Sequence, residues 1–164
     1  MLFQKDVRSE IYVDKTMMLA QLNKIIDTNE NYVCVSRPRR FGKTIAASMI
    51  AAYYSKGCDS RELFSPLKIA QDESFEANLN KFNVIQVDIN AFYTNLKASE
   101  KESLFAKITV EVNKELAETF SGAKISVEGD SLGESILKAW ATTGESFILL
   151  FDEYDVLVPE QAHA

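Results

Sequence analysis

Nine residues, Ser36-Arg37-Pro38-Arg39-Arg40-Phe41-Gly42-Lys43-Thr44, bring together four basic side chains, a glycine and a terminal hydroxyl. They follow the apolar run Tyr32-Val33-Cys34-Val35 and precede a helix-like segment, Ile45 to Tyr54. Strand, basic loop, Gly-Lys-Thr and helix is the layout of a phosphate-binding loop. In that layout backbone N–H groups at the helix start cradle phosphate oxygens. A lysine neutralises the outer phosphates, and a hydroxyl ligates Mg²⁺. The candidate binding residues are Pro38, Arg39, Arg40, Phe41, Gly42, Lys43, Thr44 and Ile45. The match to G-x-x-x-x-G-K-[ST] is incomplete, because Arg37 stands where the first glycine belongs. A side chain there calls for entry with negative φ, and Pro38 pushes Arg37 further toward extended geometry. The competing reading is a basic turn holding a chance Gly-Lys-Thr.

Phe147-Ile148-Leu149-Leu150-Phe151 is apolar at every position and runs into Asp152-Glu153-Tyr154-Asp155. Such a run predicts a parallel strand buried on both faces. Carboxylates at its C-terminal end lie where open α/β sheets bind ligands. In this Walker B arrangement Asp152 would hold Mg²⁺ and Glu153 would orient the attacking water as general base. Alone, the run also fits a buried strand with a solvated acidic end. Joined to Gly-Lys-Thr it predicts a nucleotide site, with Lys43 and Glu153 as catalytic candidates and Thr44 and Asp152 as metal ligands.

These residues need elements to carry them. A helix over 17–27 places Met18, Leu22, Ile25 and Ile26 on one stripe, and Thr16 or Asp14 could cap it. The 43–56 helix has no charge over 45–54, so it should be buried against the sheet. A short helix falls within 72–81, and Asn83 to Ile89 reads as a second core strand. Asp88 at its end is either a ligand contact or a strand-end cap. Phe105, Ile108, Val112 and Leu116 give an amphipathic helix over about 98–120. Ser131-Leu132-Gly133-Glu134 is a capping-box pattern opening a helix through Trp140.

Composition narrows the classes. With 46% hydrophobic and 26% charged residues, the 164-residue chain can build one core and is not compositionally disordered. No apolar stretch nears the roughly 20 residues of a membrane span. Met1 to Asp6 lacks a signal-peptide core, so a cytoplasmic location and no membrane partner are expected. Cys34, within the expected first strand, and Cys58 are too scattered for a metal site or a disulfide framework. The single histidine, His163, lies in the tail, which excludes histidine-based catalysis. A net charge of −6 argues against a whole-surface nucleic-acid footprint.

Tyr12-Val13-Asp14-Lys15-Thr16, Ser36 to Thr44 and Leu149 to Asp155 together resemble the bacterial predicted AAA-ATPase-like family. Its members carry a Tyr-Val-Asp-Lys-Thr opening and a Ser-Arg-Pro-Arg-Arg-Phe-Gly-Lys-[Ser/Thr] loop, so arginine at the entry position belongs to its pattern. The resemblance implies ATP and Mg²⁺ as cofactors. It implies an α/β fold, a P-loop NTPase-type three-layer αβα with a mainly parallel sheet, incomplete here because the chain stops after Walker B. Family proteins are longer and often continue into a PD-(D/E)XK nuclease-like domain. Sensor, arginine-finger and nuclease residues would lie beyond Ala164, and nucleic acid would be met only through those missing parts.

The expected organisation is an N-terminal segment and helix over 1–30, a P-loop ATPase core over 31–158 and a disordered tail over 159–164. The expected function is an ATP-binding, ATP-hydrolysing module that drives a conformational switch in a larger protein. This portion alone is expected to bind nucleotide with weak turnover at most. Two alternatives stand beside it: a nucleotide-binding signalling or scaffold module with little turnover, and a P-loop small-molecule phosphotransferase.

Overall fold

The computed structural model describes residues 2–35 and 42–157. The loop residues Ser36, Arg37, Pro38, Arg39, Arg40 and Phe41, and the tail over 159–164, lie outside the described residues. The chain divides into two compact units, residues 1–84 and 85–164. Helix and strand mix in a protein of the α/β class, whose small parallel sheet has two strands. No helix among the described residues is long and apolar enough to cross a membrane.

The first unit is helical. It contains α1 (Leu2–Val7), α2 (Met17–Ile25), α3 (Lys43–Tyr54), α4 (Arg61–Phe64), a 3₁₀ turn (Lys68–Gln71) and α5 (Phe75–Asn78). Its core is aromatic. Tyr53 meets Tyr54, Phe64 and Phe75 at ring-centroid distances of 4.8, 5.4 and 5.9 Å. Phe3 stacks on Phe64 at 5.2 Å, which anchors α1, a helix with no forecast in the sequence. Burial is as expected for α3, from Ala47 to Ile50 and from Ala52 to Tyr54. Within its unit the covering layer is α1 and this aromatic cluster rather than a sheet.

Buried tyrosines need partners for their hydroxyls. Asn23 of α2 supplies them: Tyr54 Oη donates to Asn23 Oδ1 at 2.6 Å, and Asn23 Nδ2 donates to Tyr53 Oη at 3.2 Å. Tyr53 Oη in turn donates to the Phe75 carbonyl at 3.0 Å. Burial pushes both tyrosine pKa values up.

The C-terminal end of α3 is closed by residues distant in sequence. Asn80, at φ +55°, donates from Nδ2 to the Ser55, Ala52 and Tyr53 carbonyls at 2.8, 3.2 and 3.3 Å. Ser60 Oγ donates to the Ala52 carbonyl at 2.7 Å. Carbonyls that the helix leaves unpaired thus find donors without water. Ser55 leaves the helix in extended conformation and forms a parallel bridge with Phe82.

The expected first strand is not formed. Residues 31–35 belong to no strand, and Tyr32, Val33 and Val35 are 94%, 52% and 38% exposed. Apolar composition supplies a reason to bury a strand, but the ladder comes from a paired neighbour. Cys34 is accordingly exposed rather than inside a sheet.

The second unit holds β1 (Asn83–Asp88, beginning at the division), α6 (Ile89–Thr94), a 3₁₀ turn (Ala98–Ser103), α7 (Leu104–Thr119), a 3₁₀ turn (Ser121–Ala123), α8 (Leu132–Thr143), β2 (Phe147–Asp152) and a closing 3₁₀ turn (Tyr154–Leu157). β1 and β2 are sheet neighbours. Val87, Ile89, Leu104, Ile108, Val112 and Leu116 form its core, with Phe147 packed against them. The α7 seam therefore runs 104-108-112-116, and Phe105, expected on it, is 61% exposed. Position 105 lies about 100° around the helix from 104, so one residue of phase decides burial. The α8 capping box forms as forecast: Ser131 Oγ accepts from the Glu134 N–H, and Glu134 Oε2 accepts from the Ser131 N–H at 2.8 Å. Gly144, at φ +71°, ends the helix in the left-handed conformation that glycine adopts without strain. Leu149 and Phe151 of β2, alternate residues on one face, remain 39% and 43% exposed. The expectation of a strand buried on both faces therefore fails.

The start of α2 generates a test. Thr16 is fully buried and sits at the N-cap, but its side chain does not cap the helix. Its hydroxyl donates to Asp14 Oδ1 at 2.6 Å and accepts from the Ile69 N–H at 3.1 Å. Asp14 also accepts from the Thr16 and Lys68 N–H groups, both at 2.8 Å. Partial burial pushes the Asp14 carboxyl up, but these hydrogen bonds and the Lys68 charge outweigh it and hold the pKa below the usual value. Replacing Thr16 by Val should cost about 1–3 kcal/mol in urea unfolding, because a buried N–H is orphaned. Asp14's contribution should be fully present above its unfolded pKa of about 3.9 and lost as pH falls through its depressed folded value. The stability gap between the parent and Asp14→Asn should close over that acid range. A gap that persists unchanged to the bottom of it would contradict the assignment.

Candidate functional site

Gly42 is the N-cap of α3, with φ +79° and ψ +27°. That left-handed conformation strains any residue with a Cβ, so the glycine of Gly-Lys-Thr has a backbone reason. It turns the chain so that Lys43 becomes the first residue of a twelve-residue helix. Lys43 is half-buried, while Thr44 and Ile45 are exposed. The three predicted residues Lys43, Thr44 and Ile45 thus form the first turn of α3, where the helix dipole presents positive potential. Four others, Pro38, Arg39, Arg40 and Phe41, lie outside the described residues.

One neighbour of this turn had no forecast role. A Cβ at Gly42 would lie 3.5 Å from Lys15 Nζ. Lys15 belongs to the Tyr12–Thr16 segment, and nothing in the local sequence indicates that it reaches α3. Only the fold of the first unit reveals it.

The predicted acidic residues are placed by the second unit. Asp88 and Asp152 are the last residues of β1 and β2, so two parallel neighbours end in carboxylates at one edge of the sheet. Asp88 is exposed, and its Oδ1 accepts from the Ala91 N–H at 2.9 Å, capping α6. Of its two readings, the structure supplies a local task as a cap.

Asp152 differs. It is 8% exposed, and its Oδ1 accepts from the N–H of Glu153 at 2.9 Å. Among the described residues no cation pairs with it. A carboxylate at the C-terminal end of a parallel strand is the kind of group that holds a divalent cation. The residue therefore fits a metal ligand. No cluster of three or more His, Cys, Asp or Glu stands ready to hold a metal among the described residues.

Glu153 follows at φ +54°, in the left-handed region although it is not a glycine. That conformation re-aims the chain as it leaves β2 and orients the side chain differently from a continued strand. No sequence pattern signalled it. Such outliers cost of order 1 kcal/mol or more and concentrate where position matters more than stability.

A scan against protein families matches the predicted AAA-ATPase family over residues 4–164. No curated protein and no solved structure matches the chain. The family's description suggests nucleotide binding, in keeping with a glycine-opened helix led by Lys43 and Thr44. On this match, the chain belongs to the predicted AAA-ATPase family.

Proposed function

We propose that the protein binds Mg-ATP and hydrolyses it, and that nucleotide occupancy switches the placement of partner domains in a larger protein. The observation that carries this reading is the left-handed Gly42 that opens α3 directly onto Lys43 and Thr44. Lys43 neutralises the outer phosphates and the Thr44 hydroxyl ligates Mg²⁺ together with Asp152, directly or through water. Glu153 orients the attacking water and accepts its proton. Arg39 and Arg40 are assigned to the nucleotide-binding residues in this reading. In this reading the sheet is part of a three-layer αβα P-loop core. The partners it assigns are C-terminal domains, nuclease-like ones among them, through which any nucleic acid would be met.

Two substitutions separate binding from chemistry. Lys43→Ala should weaken Mg-ATP binding by on the order of a hundredfold, since one charge and its hydrogen bonds to phosphate vanish together. Glu153→Gln should leave binding near the parent value and abolish phosphate release. Calorimetric titration showing that Lys43→Ala binds Mg-ATP as tightly as the parent would sink the phosphate-loop assignment.

The backbone at Glu153 adds a further test. Glycine adopts φ +54° freely, so Glu153→Gly should leave unfolding stability within about 1 kcal/mol of the parent, or raise it. Hydrolysis should nonetheless fall by about 10²–10⁴-fold with the general base gone. A strongly destabilised Glu153→Gly would show that the side chain supports the fold rather than the reaction.

A further inference from the structure

We propose that Lys15 is a second phosphate-contacting cation of the nucleotide site, acting beside Lys43 on the polyphosphate chain. The proposal rests on the reading of Gly42-Lys43-Thr44 as a phosphate site and adds a residue from outside the loop to it. Three observations in the first unit carry it.

The first is position. The Lys15 ammonium comes within 3.5 Å of where a Cβ on Gly42 would stand, and Gly42 is the N-cap of α3. A lysine held there faces the same end of the helix from which Lys43 and Thr44 emerge.

The second is charge. Lys15 is exposed, and its ammonium makes no ion pair with any described residue. The N-terminus of a helix carries about half a positive charge, so an ammonium there is repelled rather than stabilised. Lys43, a second cation, begins the same turn. The Lys15 ammonium at the positive end of a twelve-residue helix is an arrangement that an anion stabilises. A single phosphate group or a polyphosphate meets that need, and a neutral or cationic ligand does not.

The third is the mount. Both neighbours of Lys15 are tied down: Asp14 to the Lys68 N–H, and Thr16 to the Ile69 N–H, at 2.8 and 3.1 Å. The Lys15 carbonyl accepts from the Met18 N–H at 3.0 Å as α2 begins. The backbone that carries Lys15 is therefore fixed on the rest of its unit, and only the side chain remains to be ordered by ligand. The ligand then orders one side chain and no backbone.

The test compares Lys15→Met, Lys15→Arg and Lys43→Ala with the parent, titrating Mg-ATP, AMP and inorganic tripolyphosphate in separate experiments, with urea midpoints measured alongside. The expected result is a roughly tenfold or greater loss of Mg-ATP and tripolyphosphate affinity in Lys15→Met, a smaller loss for AMP, near-parent binding in Lys15→Arg and an unchanged urea midpoint. If Lys15→Met binds Mg-ATP as tightly as the parent while Lys43→Ala does not, the Lys15 assignment falls and the phosphate site stands. If Lys43→Ala also binds as the parent does, or the parent does not bind, the site reading falls and takes Lys15 with it. Lowered urea midpoints in both Lys15 variants would make the residue structural and overturn the proposal.

Discussion

Helix α3 is apolar along most of its length, and burying it obliges the chain to satisfy polar backbone at both ends. At the C-terminal end the solution is internal: Asn80 and Ser60 donate to the Ala52 carbonyl, and Asn80 also reaches Tyr53 and Ser55. At the N-terminal end the left-handed Gly42 points the first turn outward, with Thr44 and Ile45 left exposed. In the proposed reading, that first turn is the part of the helix that meets the anion. The aromatic residues around Tyr53 and the Asn23 network hold that helix in place, so the first unit is organised as a support for one turn of backbone.

Much of the machinery was legible because local rules are strong where they apply. The Ser131–Glu134 box, the helix over Lys43–Tyr54 and the strands ending at Asp88 and Asp152 each follow from a short pattern with a local cause. What was not legible depends on distant partners or on phase. Tyr32–Val35 reads as a strand, but no residue in it can declare whether a neighbour is present to pair with it. Phe105 sits one position from the α7 seam and shares its composition, so only the helix start at Leu104 settles which is buried. Asn80 and Lys15 act on α3 from far along the chain, and the positive φ of Glu153 has no signature in the surrounding residues. The Tyr12–Thr16 segment shows the same limit from the other side. Its residues form a compact sequence pattern, yet the task of Asp14 and Thr16 as a clasp on Lys68 and Ile69 emerges only from the fold.

The candidate residues of the two units also differ in how they are placed. Lys43 and Lys15 lie near the N-terminal end of α3. Asp152 ends β2 and accepts one hydrogen bond from its own neighbour. The placement of Asp152 is set by backbone pairing of β1 with β2, and that of Lys15 by side-chain reach.

That pairing joins two strands with α6, α7 and α8 between them in the chain. The helices are short-range structures: α8 closes its own cap, and α7 follows its seam turn by turn. Bringing β2 beside β1 instead closes a long excursion, and the entropy of that closure must be met before the ladder returns anything. The carboxylate edge, Asp88 beside Asp152, exists only once the alignment is complete. The acidic rim thus depends on the most distant pairing in this unit, whereas each helix cap depends only on its neighbours.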